Sequence, residues 1–218
     1  MFNKKQPDAG SFTRLVEQRR SSRSYLSKQP PREWINEMLN CARWAPSPSN
    51  QQPVRFVLVE SEKIKSDLKN ALEEGKDRLL ALVDEKGCSK KLKNQIRYYF
   101  RHSSFAFTAP CLFAAGLSKK KEGFTARLAR DGLIEETYLS DTSDHIALGL
   151  ALDNFILKGT ELGLGTCILT APLLFLKHSR QWPVFPGMTL TSFITAGFPD
   201  KAPAVTSRKP VTEIFRTV

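Results

Sequence analysis

Apolar residues recur at helical spacing in three early stretches of the chain. Phe12, Leu15 and Val16 stand at i, i+3 and i+4 behind Ser11. That spacing predicts a helix from Ser11 to about Arg20, with Ser11 as its cap. Ile35, Met38, Leu39 and Ala42 form a second stripe, with Pro31 suited to the first turn and Pro46 ending the run. Ser61 can cap a third helix, whose apolar face carries Ile64, Leu68, Ala71 and Leu72. Strands carry a different pattern. "VRFVLVE" (54–60) is rich in β-branched residues, and "CLFAAGL" (111–117) is a continuous apolar run of the kind found in buried strands. "GTCIL" (165–169) and "TLTSFITAGFP" (189–199) read as two more. Between them lies 144–163, which Asp144 can cap and which is apolar on nearly all sides from Ile146 to Leu157. A helix of that kind is buried, and in a chain this size the pattern points to burial against a second copy.

The polar stretches divide the rest. "APSPSNQQP" (45–53) is a loop by every local rule. Residues 87–104 are basic and weakly patterned, and no element is assigned to them. Residues 118–140 are charged, with isolated aromatics at Phe124 and Tyr138, and read as an excursion or variable lid. Residues 1–10 are expected to be a flexible N-terminus, and 11–218 a single domain. Helices and strands intermix without a regular strand–helix–strand series, which makes the fold class α+β.

Composition narrows the function. The 218 residues, 41% hydrophobic, suit one main domain with a real core. No stretch approaches the roughly 20 apolar residues that cross a bilayer. The first residues carry charges with no apolar run behind them, unlike a secretory signal. The expected compartment is the cytoplasm, with no membrane partner. Cys41, Cys88, Cys111 and Cys167 are far apart, and His102, His145 and His178 lack ligand spacing, so no metal site or disulfide framework is expected. The net charge of +11 favours anionic partners: nucleic acid, a membrane surface or phosphorylated small molecules. The densest basic runs, at 90–93 and 119–121, are short and not interleaved with aromatics. They read as solvated faces rather than a base-stacking surface, and no nucleic acid is expected.

The chain contains no Gly-rich strand-to-helix turn of the dinucleotide type, no phosphate loop of the Walker kind, no G-x-S-x-G and no H-E-x-x-H. An enzyme built this way would rely on a cofactor. "RRSSRSY" (19–25) crowds three guanidiniums and three serines together. In an extended segment Arg19, Ser21 and Arg23 point the same way, so one anionic group could meet all three. A solvated polar turn is the plain alternative. In "APSPSNQQP" the prolines reduce loop freedom, and the amides of Asn50 and Gln52 can each donate and accept toward a heterocycle edge. An ordinary Pro/Ser loop is the plain alternative there.

The order and spacing of "RRSSRSY", "CARWAPSPSNQQPVRFVLV", "GTELGLGTCILTAP" and "GFPDKAPAVTSRKP" resembles the nitroreductase family of FMN-dependent oxidoreductases, over residues 14–215. The resemblance implies a central, mostly antiparallel sheet flanked by helices, a long buried dimer-core helix and an extended C-terminal tail. It implies a homodimer with two FMN sites at the interface. By similarity, Arg19 and Ser21 hold the flavin phosphate and ribityl chain, with Arg20 beside them. Arg23 lies nearer the pyrimidine end, and Arg208 returns from the tail to the phosphate. Pro46, Ser47, Pro48, Asn50 and Gln52 reach the flavin of the other subunit. Ile168, Leu169, Thr170 and Ala171 approach flavin N5 and O4, and Phe124 covers the substrate side. Pro48 stands where serine is common, and Thr170–Ala171 where an acidic residue and glycine are common. No side chain is catalytic: NAD(P)H gives a hydride to flavin N5, which passes it to a small planar acceptor, a nitroaromatic or quinone, in a ping-pong cycle. The alternatives are a specialised flavoenzyme of the same fold, a dehydrogenase or reductive dehalogenase acting on a dedicated metabolite, and a basic nucleic-acid-binding module.

Overall fold

The structure, a computed structural model, describes residues 9–118, 124–135, 142–176 and 185–217. Its sheet has four strands: β1 (Val54–Leu58), β2 (Cys111–Ser118), β3 (Gly165–Leu169) and β4 (Met188–Gly197). They lie in the order β1-β2-β4-β3, and every neighbouring pair is antiparallel. Seven of the eight β2 residues are buried, as the unbroken apolar run requires of a strand covered on both faces. The fold is α+β.

The period-2 alternation of the central strands splits the core in two. One face carries Phe113, Ala115, Ile194 and Ala196. It packs on Ile35 and Met38 of α2 (Arg32–Ala42) and on Leu148, Ala151 and Phe155 of α6 (Thr142–Glu161). Phe155 sits at the centre of that layer, 5.3 Å from the Phe56 ring and 5.1 Å from that of Phe113. The opposite face carries Leu112, Ala114, Leu190 and Phe193. It is covered by Leu68 and Leu72 of α3 (Glu62–Glu85) and by Ile96 and Phe100 of α4 (Lys90–Ser104).

Several local expectations change in detail. Helix α1 (Ala9–Gln18) begins before Ser11, which therefore lies inside it rather than capping it. Ser61 does cap α3, accepting from the Ile64 amide at 3.4 Å. Pro31 is the residue before the first turn of α2, not inside it. The basic stretch given no element forms α4. Its buried stripe is narrow, mainly Ile96 and Phe100, because it packs one side on the sheet layer and leaves the rest to solvent. Two short helices complete the chain, α5 (Phe124–Arg130) and α7 (Val211–Ile214). Parts of the expected lid, 119–123 and 136–141, and most of the expected flexible N-terminus, 1–8, lie outside the described residues.

Helix α6 is not sealed on all sides within one chain. Ile146 is 58% exposed and Leu150 42%, and a Cβ built on Gly149 would meet nothing within 4 Å. No described helix is long and apolar enough to cross a membrane.

Candidate functional site

The site begins where α1 stops. Arg19 closes the last turn, its amide donating to the Leu15 carbonyl at 3.1 Å. Arg20 folds its guanidinium back, donating from Nη1 to the carbonyls of Glu17 and, at 2.8 Å, Arg19. Arginine near a helix C-terminus commonly satisfies such orphan carbonyls. Its Nε is buried and has no hydrogen-bond partner.

Past Arg20 the chain is extended and lies along the outer edge of β3. Ser21 pairs in parallel with Thr166, and the Ser22 amide donates to the Thr166 carbonyl at 2.9 Å. This approach needs a glycine opposite: a Cβ on Gly165 would stand 2.3 Å from Ser22 Oγ. The segment then turns to the residues that follow β4. Leu26 donates to the Phe198 carbonyl at 2.9 Å, and Asp200 to that of Ser24 at 3.1 Å. Ser24 Oγ also donates to Asp200 Oδ2 at 3.0 Å. Backbone pairing on both flanks fixes the direction of each side chain in 21–25.

Arg19, Ser21 and Arg23 all lie near enough to the Cys167 thiol to act on its titration. Burial raises the pKa of that thiol, while Arg23, a hydrogen bond from Ser21 and Arg19 each oppose the rise. The structure therefore brings together the three alternating residues that the sequence singled out. Arg208 is not joined to them. It is exposed, its Nη1 donating to Thr206 Oγ1 at 2.7 Å and to the Ser207 carbonyl at 3.2 Å.

A second cluster lies at the end of α2. Ser49, Asn50 and Gln52 all have positive φ, between 49° and 52°. For non-glycine residues this costs about 1 kcal/mol each. The loop is held by short bonds of its own. The Gln52 amide donates to Ser47 Oγ at 2.9 Å, Gln52 Nε2 to Asn50 Oδ1 at 3.1 Å, and Arg55 Nη1 to the Gln52 and Val54 carbonyls at 2.8 Å. Pro46, Ser47 and Gln52 line a cavity of about 220 Å³. Its other walls include Val54 and Phe56 of β1, Ala147 and Ala151 of α6, and the two cations Arg43 and Arg55. Pro48 and Asn50 are in the same loop but not in that lining.

The third segment follows β3. Ile168 points outward at 36% exposure, whereas Leu169 is buried in the core and can offer a ligand only its backbone. Thr170 is exposed and precedes a 3₁₀ turn that begins at the half-buried Ala171. Phe124 opens α5 and is 67% exposed.

Sequence reasoning missed Tyr25, Cys167 and Thr195 beneath the first cluster, and Arg43 and Arg55 beside the second. Tyr25 belongs to the quoted heptapeptide and could have been weighed there. The others become visible only when strands and loops are placed. Two guanidiniums and a hydroxyl on one extended segment form a donor set for a dianion such as a phosphate monoester. The orphaned Arg20 Nε adds an unused donor on the same segment. Among the described residues no group of His, Cys, Asp or Glu is arranged to hold a metal ion.

A Stenotrophomonas maltophilia strain R551-3 protein named NADH dehydrogenase/NAD(P)H nitroreductase is 26% identical over 196 residues, 85% of this chain and 94% of that one. Iodotyrosine deiodinase 1 of Sus scrofa is 29% identical over 95% of this chain and 68% of its own length. The crystal structure of a BluB-like flavoprotein from Clostridium difficile 630 superimposes with a TM-score of 0.79 at 22% identity, over 95% of this chain and 98% of that one. Residues 16–185 match the nitroreductase family, and the chain belongs to it.

Proposed function

We propose that the protein is an FMN-dependent oxidoreductase that takes reducing equivalents from NAD(P)H and delivers them to a small planar acceptor. The observation that supports this reading is the extended, backbone-paired segment that carries Arg19, Ser21 and Arg23 at alternate positions near the Cys167 thiol, a donor set suited to a flavin phosphate and ring edge. Bound there, FMN supplies the hydride chemistry, and the protein's tasks are placement and electrostatics. Arg19 and Ser21 bind the phosphate end, with Arg20 beside them, and Arg23 places positive charge at the pyrimidine end. Arg208 joins them by a movement of the exposed tail. Ile168, Leu169, Thr170 and Ala171 border the ring edge. Leu169 contributes backbone only, since its side chain is committed to the core. Phe124 at the start of α5 covers the acceptor side, within a single flavin-binding domain spanning 11–218.

The second half of the site comes from a second copy of the chain, through Pro46, Ser47, Pro48, Asn50 and Gln52. The exposed stripe Ile146, Gly149 and Leu150 supports a homodimer, because Gly149 leaves room for a second helix to approach closely. The exposed tail residues Val211, Ile214 and Phe215 add apolar surface that a second copy would cover.

The deciding experiment is anaerobic spectroscopy. The purified protein takes up FMN, is yellow, and bleaches when NADH or NADPH is added. Protein that stays colourless and refuses added FMN overturns the proposal. A second reading, reductive dehalogenation of a dedicated substrate, is favoured by the deiodinase relative, which spans nearly the whole chain. Supplying the reduced protein with a quinone, a nitroaromatic and a halogenated phenol in parallel separates the two by which compound reoxidises it fastest.

A further inference from the structure

Tyr25 closes the basic segment and turns its hydroxyl back onto the segment's own backbone. Its hydroxyl donates to the Ser22 carbonyl at 2.6 Å and lies 2.7 Å from Thr195 Oγ1. A phenol has one proton, and a carbonyl can only accept. The Tyr25 proton therefore goes to Ser22, and Thr195 donates its own hydroxyl proton to Tyr25 Oη. Thr195 is fully buried, and Ser22 is 3% exposed. The ring is clamped as well: Tyr25 pairs with Pro199, and a Cβ on Gly197 would come within 3.0 Å of Tyr25 Cδ1. Burial pushes the phenol pKa well above its ordinary value, so the proton that makes the bond stays in place.

The carbonyl that Tyr25 holds belongs to the peptide joining Ser22 to Arg23. The Ser22 amide is already fixed on Thr166, so the preceding residues do not need the phenol. The Ser22–Arg23 peptide does, because its orientation sets where the Arg23 side chain departs. Thr195 is the direct cross-strand partner of Cys167 in the β3–β4 ladder. One cross-strand pair thus meets the segment twice: Cys167 lies near Arg19, Ser21 and Arg23, and Thr195 anchors the backbone through Tyr25.

We infer that Tyr25, braced by Thr195, is a positioning residue that aims Arg23 at the bound flavin. The inference rests on the FMN reading above. The test is a double-mutant cycle on FMN affinity, read by quenching of flavin fluorescence on the full-length protein. Tyr25→Phe keeps the ring and removes the hydroxyl. It weakens FMN binding about tenfold, the scale of one buried hydrogen bond and the carbonyl it leaves unpaired. In an Arg23→Ala background the same change costs less than about twofold, and in an Arg19→Ala background it again costs about tenfold, since Arg19 is set by the end of α1. A merely structural role for Tyr25 gives the same loss in all three backgrounds, and that result overturns the inference, as does an unchanged affinity in the wild-type background. Thr195→Val carries the same cycle should Tyr25→Phe fail to fold, with a loss of about threefold that vanishes beside Arg23→Ala. Thr195→Ser keeps the hydroxyl and keeps the affinity. Wild-type protein that binds no FMN removes the functional reading and this inference together. Wild-type binding with no dependence of the Tyr25 effect on Arg23 removes this inference alone.

Discussion

The two halves of the candidate site are built in opposite ways. The segment 19–25 borrows rigidity from the sheet: β3 pairs with it at Ser21, Pro199 just beyond β4 bridges to it at Tyr25, and the hydroxyl pair of Tyr25 and buried Thr195 supports it. The loop 45–53 borrows little. It holds three left-handed non-glycine residues in place with hydrogen bonds to its own members and to Arg55, the residue just beyond it. The first half is placed by tertiary structure and is unstrained. The second is placed locally and stores strain, and its cavity opens beside α6, where apolar residues remain uncovered. Within one chain, therefore, the segment 19–25 is fixed by the sheet with Arg208 still apart from it, and the loop is held by its own bonds beside an uncovered apolar face.

Four measurements sharpen or break that comparison. The largest effect is expected from removing both cations of the preformed half. Arg19→Ala with Arg23→Ala should weaken FMN binding about a thousandfold, at about 2 kcal/mol for each charged hydrogen-bonding group lost. Circular dichroism should stay unchanged, because neither guanidinium holds an element together. A loss below tenfold would mean that the segment does not bind the cofactor.

Next is Gly165→Ala. Its new Cβ would stand 2.3 Å from Ser22 Oγ and 2.6 Å from Ser22 Cβ, so the segment must lift off β3. We expect a destabilisation of about 3 kcal/mol, a melting temperature lower by about 6–12 °C, and a parallel loss of FMN. Retention of both would show that the pairing is not what places the serines.

Smaller effects belong to the loop. Ser49→Gly should raise the stability of the flavin-free protein by about 1 kcal/mol, by relieving a positive φ that glycine tolerates. The same change in 19–25 would have no strain to relieve. Ser47→Ala removes the acceptor for the Gln52 amide. It should cost about 1 kcal/mol of stability and, in the proposed homodimer where the loop serves the other subunit's flavin, slow turnover more than it weakens FMN binding. Equal losses of stability from Ser47→Ala and Gly165→Ala would erase the distinction between a locally held and a sheet-held half.

How much of this was legible beforehand follows from the same physics. β2 announced itself because it is buried on both faces and so is an apolar run, and β4 through its β-branched content, with Thr189, Thr191 and Thr195 among the apolar residues. The helix α3 announced its start through Ser61 and its face through Leu68 and Leu72. Helix α4 did not, since only a narrow stripe of it meets the core and charge fills the rest. The anion-binding side chains were legible as an alternation, Arg19, Ser21, Arg23, given an extended backbone. The extended backbone itself was an assumption that β3 had to supply.

By itself the sequence determined the four strands, the helices α1, α2, α3 and α6, the basic heptapeptide and the proline-bounded polar loop, because each rests on neighbours within a few residues. Tertiary structure alone decided that Thr195, some 170 residues away, braces Tyr25, and that Cys167 lies near two arginines and a serine. It also decided that Gly165 must be glycine for Ser22 to approach. Such contacts depend on which strands lie side by side and in what register. Sheet pairing fixes these between residues that carry no local mark of their partners.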